Sequence, residues 1–268
     1  MKIQYTDTHI TVFESSLYRT TSTLIDLGRD LIVVDPNWLP VEVQFISKWV
    51  NDHYPQHQLY LFFTHSDFDH IMGYQAFPNA KVLASQALVQ NPNKESILQQ
   101  IVDFDHEYYI TRPYPILYPE VDIVVPEHDF SIYINEIEIL FFKAQGHVSD
   151  GLFMIIPALH LWVAGDYLSN IEIPFIDHDY HAYWDTITTA AILFDQFDDI
   201  HILIPGHGDV ATERTEIKDR ISKDKRYLEL LKKEDVEHPS LDALALIRSY
   251  QNNPNLIKAH QKNIMSLK

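Results

Sequence analysis

Residues 64–70 read Thr-His-Ser-Asp-Phe-Asp-His, a short stretch that contains four side chains able to bind metal ions. These side chains are His65, Asp67, Asp69 and His70, and they follow directly after the apolar run 59–63. Imidazole nitrogen and carboxylate oxygen are the ligands that zinc, iron and manganese accept in proteins. The stretch therefore predicts a metal site at the end of a buried strand.

Three further loops carry the same kinds of side chain, and each also follows an apolar run. They are Gln145-Gly146-His147, Gly165-Asp166 and Pro205-Gly206-His207-Gly208. The glycines allow sharp turns and a close approach of the backbone to a small charged centre. The four loops together supply four imidazoles and three carboxylates, about the number that two divalent ions need when water and one bridging carboxylate complete the set.

The elements that must position these loops alternate between apolar runs and helical patterns. The predicted strands cover 20–26, 31–35, 59–63, 81–84, 123–125, 130–134, 137–142, 152–156, 159–164 and 200–204. The predicted helices cover 41–50, a short segment after 70, a segment from 85, 95–102, 183–194, 213–233 and the tail after 239. Residues 91–119, rich in proline and tyrosine, form an insertion that either contacts substrate as a lid or packs on the surface.

The composition narrows the functional classes. The chain has 268 residues with 20 Lys and Arg against 38 Asp and Glu, so its formal charge is −18. This excess of negative charge disfavours general binding of nucleic acids. The chain has no cysteine, which excludes disulfides and thiolate metal ligands. The start of the chain lacks a signal pattern and no apolar run has the length of a membrane span, so we expect a cytoplasmic protein without membrane contact.

The ordered motifs T-H-x-D-x-D-H, G-H, G-D and P-G-H-G resemble those of the metallo-β-lactamase-fold hydrolase superfamily, over roughly residues 10–232. The resemblance implies an α/β (α+β) protein built as a four-layer αββα sandwich. We expect residues 1–238 to form this hydrolase domain, with 91–119 as its insertion. Residues 239–268 are expected to form a helical extension that packs on the domain or at a contact in a homodimer.

The resemblance also implies a grouping of the ligands. His65 and His147 would bind a first metal; Asp69, His70 and His207 a second; and Asp166 would bridge both. Asp67 occupies a position where most members have histidine, so it is either a direct ligand or an acceptor that orients a histidine. Its negative charge favours harder metals. The expected cofactor is two divalent ions, zinc first, with iron and manganese as alternatives.

The leading functional hypothesis is hydrolysis of a small ester, thioester, lactone or related molecule by a metal-activated water, which Asp69 or Asp67 would orient. His178, His181 and Tyr183 are candidates for the substrate pocket, although Tyr183 could instead begin a helix and pack. Two alternatives remain open: a phosphodiesterase or nuclease, which the H-x-D-x-D-H pattern of competence-type DNA-uptake nucleases suggests, and a metal-dependent sensing protein with little catalysis. Redox chemistry at a di-iron site ranks last.

Overall fold

Two β-sheets and eight α-helices make up the part of the chain that this computed structural model describes, residues 1–126, 130–234, 239–250 and 253–267. The strands are β1 (Lys2–Thr6), β2 (Ile10–Glu14), β3 (Thr21–Asp26), β4 (Asp30–Val34), β5 (Gln58–Phe62), β6 (Lys81–Ser85), β7 (Ile123–Val125), β8 (Phe130–Ile134), β9 (Ile137–Lys143), β10 (Leu152–Ile156), β11 (Leu161–Gly165) and β12 (Ile202–Pro205). The helices are α1 (Pro40–His53), α2 (Phe68–Ile71), α3 (Gln86–Gln90), α4 (Lys94–Glu107), α5 (Tyr180–Gln196), α6 (Arg214–Leu231), α7 (Leu241–Tyr250) and α8 (Pro254–Ser266).

The first sheet contains β1 to β7 in chain order. Strands β1 to β4 form consecutive antiparallel hairpins. Strand β5 then lies parallel to β4, with Val34 opposite Phe62, and also parallel to β6. Because parallel neighbours end at the same edge of a sheet, the residues that follow β4 and β5 come together there.

The second sheet has the order β12-β11-β10-β9-β8. Strands β11 and β12 are parallel, with Val163 opposite Ile204, whereas the other pairs are antiparallel. The residues after β11 and β12 therefore also end at one shared edge. The parallel pair of β4 and β5 in the first sheet and that of β11 and β12 in the second are thus both followed by loops that carry polar side chains.

Side-chain alternation along the strands divides the interior into three apolar layers. Met154 and Ile156 of β10 pack between the two sheets, while Phe153 and Ile155 pack against the layer of α5, α6, α7 and α8. Helices α1, α3 and α4 cover the outer face of the first sheet. Each sheet is consequently buried on both faces, and the predicted four-layer αββα sandwich is confirmed.

Several boundaries differ from the sequence-based prediction for identifiable reasons. Strands β1 and β2 were not predicted. β1 is a largely exposed edge strand with only two apolar residues, whereas β2 is buried along its whole length. Helix α4 extends to Glu107 rather than ending near 102. Strand β11 begins at Leu161 because residues 157–159 form a 3₁₀ turn. The short helix begins at Phe68, so Asp69 and His70 lie within it instead of before it.

The C-terminal helices α7 and α8 pack on α5 and α6. Leu246, Ile247, Leu256 and Ile264 are buried in the same apolar cluster as the outer face of the second sheet. The predicted boundary at residue 238 lies outside the described residues, and the division into domain and extension stays a prediction. None of the described helices combines the length and apolar character that crossing a bilayer requires.

Candidate metal centre

The predicted metal-binding side chains all lie at one edge of the sandwich, on loops that follow strands of both sheets. His65 follows β5, and helix α2 then carries Asp69 and His70. Asp166 follows β11, and His207 follows β12. The parallel pairing within each sheet therefore delivers ligands from two sheets to one place.

A first group consists of His65, Asp67, His147 and Asp166, whose potential ligand atoms all lie within 4.8 Å of one another. The Nε2 atom of His147 lies 3.1 Å from Oδ2 of Asp67 and 3.4 Å from Oδ2 of Asp166. The Nε2 atom of His65 is 3.7 Å from the same Asp166 oxygen and 3.8 Å from Asp67 Oδ2. The Asp67 carboxylate thus points into this group.

A second group consists of Asp69, His70 and His207, again within 4.8 Å. Oδ2 of Asp69 lies 3.6 Å from His70 Nε2 and 3.4 Å from His207 Nε2. Asp166 reaches this group as well, with Oδ1 3.1 Å from His70 Nε2 and Oδ2 3.3 Å from His207 Nε2. Asp166 therefore contacts histidines of both groups.

Every one of the four imidazoles is oriented through its Nδ1 atom, so that Nε2 faces the centre. The Nδ1 partners are Thr64 Oγ1 for His65 at 2.9 Å, Asp35 Oδ2 for His70 at 3.0 Å, the Phe175 carbonyl for His147 at 2.9 Å and the Tyr18 carbonyl for His207 at 3.0 Å. An oxygen that accepts from Nδ1–H leaves the Nε2 lone pair for a metal. Asp35 also accepts hydrogen bonds from the backbone N–H and the hydroxyl of Thr64, which ties the first loop to the end of β4.

Buried atoms without hydrogen bonds show that the residues fit a metal. His65 Nε2, His70 Nε2 and Asp166 Oδ1 are buried and have no hydrogen-bond partner among the described residues. Buried polar atoms that lack a partner cost free energy, and most proteins avoid them. All three point at the same centre, where divalent cations would satisfy them, and the nitrogen and oxygen donor set suits such ions.

The electrostatics of the centre lower the pKa of Asp67 and of Asp166 and keep these two carboxylates ionised. Burial alone would raise the pKa of Asp67, but the neighbouring His147 lowers it to about 2. Burial would likewise lower the pKa of His207, yet Asp166 and Glu172 raise it to about 10. Burial lowers the pKa of His65. Metal binding must displace protons from the charged imidazoles, so metal affinity falls as the pH falls.

The loop after β12 depends on the absence of a side chain at Gly206. A Cβ atom at this position would lie 2.1 Å from Asp166 Oδ1 and 3.0 Å from His70 Cε1. Both distances are shorter than normal contacts, and the neighbours are themselves candidate ligands. Glycine is therefore required here for the backbone to pass close to the centre.

A cavity of about 220 Å³ opens above the two groups, and we name it the metal cavity. Besides the candidate ligands it is lined by the aromatic residues Tyr18, Trp38, Phe68 and Phe175 and by the acidic residues Glu172 and Asp177. Lys and Arg are absent from its described lining residues. Asp177 pairs with Lys262 at 2.7 Å, whereas no described cation pairs with Glu172. Burial raises the pKa of Glu172.

The structure brings together the seven predicted ligands but not the three pocket candidates. His65, Asp67, Asp69, His70, His147, Asp166 and His207 converge as described, and their ligand roles stay predictions. His178 and His181 are exposed and do not line the metal cavity. Tyr183 is only 1% exposed and packs against Tyr167 in the interior, as in the packing alternative, but it lies within α5, which begins at Tyr180.

The sequence-based prediction missed several residues at the site, among them Asp35, Tyr18, Glu172 and Phe175. Asp35 ends the apolar run of β4 and could have been found by the rule that identified the other loops. Tyr18, Glu172 and Phe175 carry no such signal, because each reaches the centre through an irregular segment. Their role follows only from the folded chain.

Comparison with known proteins agrees with this architecture. No protein-family model matches the chain, and no curated protein sequence matches it. Among solved structures, the chain is similar to the stereoselective inverting sec-alkylsulfatase Pisa1 from Pseudomonas sp., with a TM-score of 0.74 and 12% identity. That match covers 97% of this chain and 49% of the alkylsulfatase, so the chain spans about half the length of that protein.

Two metallo-β-lactamases are also similar in structure. The enzyme from Pontibacter korlensis gives a TM-score of 0.57 at 13% identity, over 82% of this chain and 97% of that one. The DIM-1 metallo-β-lactamase gives 0.56 at 15% identity, over 82% and 95%. These similarities show that the chain has the metallo-β-lactamase fold, as the motifs predicted.

Proposed function

We propose that this protein is a metal-dependent hydrolase that uses a dinuclear metal site to attack a small, uncharged ester, thioester or lactone with water. The observation that carries the proposal is the position of Asp166, whose two oxygens lie 3.1 to 3.7 Å from the Nε2 atoms of all four histidines. A carboxylate shared in this way is suited to bridge two cations. The similar structures, which include hydrolases by their names, support the same class.

The residues of the site divide into holding and orienting roles. His65, His147 and Asp67 would hold one ion, His70, His207 and Asp69 the other, and Asp166 both. Two divalent ions bound there would lower the pKa of water and polarise a carbonyl oxygen. Asp67, whose side chain is 33% exposed at the mouth of the centre, is placed to accept a hydrogen bond from water and orient it. Asp69 is the more enclosed alternative for this role.

The charge of the metal cavity favours a neutral carbonyl substrate over a phosphodiester. None of its described lining residues is Lys or Arg, and Glu172 adds a carboxyl group that no described cation pairs with. An anionic substrate would have to approach these carboxyl groups with only the metals to attract it. The geometry therefore favours ester, thioester or lactone hydrolysis over the phosphodiesterase alternative.

Metal content per chain tests the dinuclear site directly. We expect near two equivalents of zinc, iron or manganese in the purified protein by elemental mass spectrometry. Asp166→Ala should lose at least one equivalent and reduce kcat/KM by more than about 100-fold, because it removes a ligand of both ions. The matched control is His178→Ala, which changes an exposed histidine outside the metal cavity and should keep both metals and activity. A variant Asp166→Ala with full metal content would contradict the bridging role.

A substrate comparison tests the reaction class. With the native metal bound, p-nitrophenyl acetate, an acyl thioester and a simple lactone should be hydrolysed faster than bis(p-nitrophenyl) phosphate. Exclusive turnover of the phosphodiester would establish the alternative reaction. Metal binding without turnover of any of these compounds would favour a sensing protein.

A further inference from the structure

A second cavity lies beside the metal cavity and is almost entirely apolar. It measures about 420 Å³, and Leu17, Tyr18, Leu39, Phe104, Tyr108 and Ile110 form most of its wall. None of its described lining residues is charged. Its volume falls within the range of about 300 to 1,000 Å³ that small-molecule sites occupy. We name it the apolar cavity.

Residue Tyr18 lines both cavities and makes them neighbours. Its side chain is 62% exposed, and its ring centroid lies 5.7 Å from that of Trp38, another wall of the metal cavity. Its carbonyl oxygen is the partner of His207 Nδ1. The backbone of Tyr18 is thus fixed against the metal centre, and the residue forms part of the wall of both cavities.

The far wall of the apolar cavity comes from the insertion, and it is fixed to the metal cavity by packing. The ring of Phe104 in α4 lies 4.9 Å from Trp38 and 4.8 Å from Tyr108, measured between centroids. Arg112 donates two hydrogen bonds to Asp105 and a third to the carbonyl of Trp38 at 2.7 Å. These contacts hold the insertion in place and leave apolar side chains facing solvent beside the site.

We propose that the apolar cavity binds a hydrocarbon chain of the substrate while the reacting carbonyl lies in the metal cavity. This inference rests on the proposed hydrolase function and narrows it to neutral substrates with a medium-length chain. Covering an exposed apolar wall with another apolar surface removes both from water and stabilises the bound state. Because this wall lies next to the reaction centre, a hydrocarbon chain attached to the reacting group can cover it. The insertion thereby acquires a binding role.

Chain-length dependence is the first test. For p-nitrophenyl esters from acetyl to octanoyl, kcat/KM should rise roughly threefold to fourfold per added methylene until the cavity is filled. A parallel series of alkyl acetates, with the chain on the alcohol, shows which side of the ester the cavity accepts. Equal kcat/KM across both series would overturn the inference while leaving the proposed hydrolysis intact.

Two variants and one matched control locate the effect. Tyr108→Ala removes part of the wall, and Ile110→Asp introduces a charge that an apolar chain cannot solvate. Each should reduce kcat/KM for the octanoyl ester by about tenfold relative to the acetyl ester, with unchanged metal content. The control is Tyr109→Ala, because Tyr109 is 96% exposed and does not line the cavity. An equal loss in the control would mean that the preference for the longer chain does not come from the wall of this cavity, and it would overturn the inference.

Binding without catalysis separates the two proposals. Calorimetry with 1-octanol and ethanol on protein without added metal should detect saturable binding of octanol alone, weakened in Ile110→Asp and retained in Tyr109→Ala. Octanol binding together with no hydrolysis by the two-metal protein would count against the proposed function and leave the apolar site standing. Ester hydrolysis with neither octanol binding nor a chain preference would refute the apolar site alone.

Discussion

At the scale of single residues, the notable feature is Asp67, which occupies a position where most members of the superfamily that the motifs resemble have histidine. Its carboxylate lies 3.1 Å from His147 Nε2 and is held ionised by that neighbour. A carboxylate in place of an imidazole adds negative charge and hardness to the first group of ligands. The expected consequence is a preference that moves from zinc toward manganese or iron.

Replacing Asp67 by histidine tests this preference. Asp67→His should increase zinc occupancy relative to manganese in competition dialysis, because it replaces a hard oxygen by a nitrogen donor. Asp67→Asn serves as a control that keeps the shape of the side chain and removes its charge. It should weaken the binding of zinc, iron and manganese to the group of ligands that contains Asp67. If zinc and manganese occupancy stay unchanged in both variants, Asp67 is not a direct ligand.

At the scale of secondary-structure elements, the loops that follow parallel strands determine the geometry of the centre. The loop after β12 carries His207, but it reaches the centre only because Gly206 leaves space for Asp166. The hairpin between β3 and β4 contains a glycine of a different kind, Gly28, which adopts φ +92° far from the metal residues. Glycine is thus required at Gly206 because a side chain would collide with the site, and at Gly28 because other residues are strained at positive φ.

Alanine at each glycine should have a different effect. Gly206→Ala places a methyl group against Asp166 and should lower metal content and activity while secondary structure, measured by circular dichroism, is retained. Gly28→Ala should lower the melting temperature through strain at positive φ, costing about 1 kcal/mol, and leave metal content unchanged. Full metal occupancy in Gly206→Ala would show that Asp166 can move without loss of the site.

Asp224 of α6 links the stability of the whole molecule to pH. Its side chain is 1% exposed and accepts a hydrogen bond of 2.8 Å from the hydroxyl of Tyr250 in α7. Burial raises its pKa to about 7 from the usual 3.8. Between pH 3.8 and about pH 7, the Asp224 carboxyl group has lost its proton in the unfolded chain but still carries it in the native protein. Stability therefore falls as the pH rises through this window, and the loss is complete above about pH 7.

The variant Asp224→Asn should lack this pH-dependent loss. Its free energy of unfolding relative to the unchanged protein should improve by roughly 2 to 4 kcal/mol between pH 4 and pH 8. Denaturant unfolding of both proteins at each pH gives this difference, and protonation of the metal site cancels because both proteins share it. A difference that stays constant with pH would mean that Asp224 is ionised in the native protein throughout the range.

The sequence by itself determined the types and order of the elements and the side chains that could bind metal. Apolar runs followed by His, Asp and Gly mark strand ends, because a buried strand needs continuous apolar residues and its following loop is free to carry polar ones. This local signal was sufficient for the set of seven candidate ligands, whereas the αββα fold was implied by the resemblance of the ordered motifs to a known superfamily. The exposed strand β1 and the end of α4 lacked such a signal.

Only the tertiary structure decided what surrounds those ligands and what orients them. Asp166 reaches four histidines because the edges of two sheets meet, and the Tyr18 carbonyl orients His207 across 189 positions of sequence. Glu172 and the wall formed by α4 join the site through irregular segments and packing on Trp38. Such contacts depend on the packing of distant segments, which side-chain periodicity along the chain does not encode.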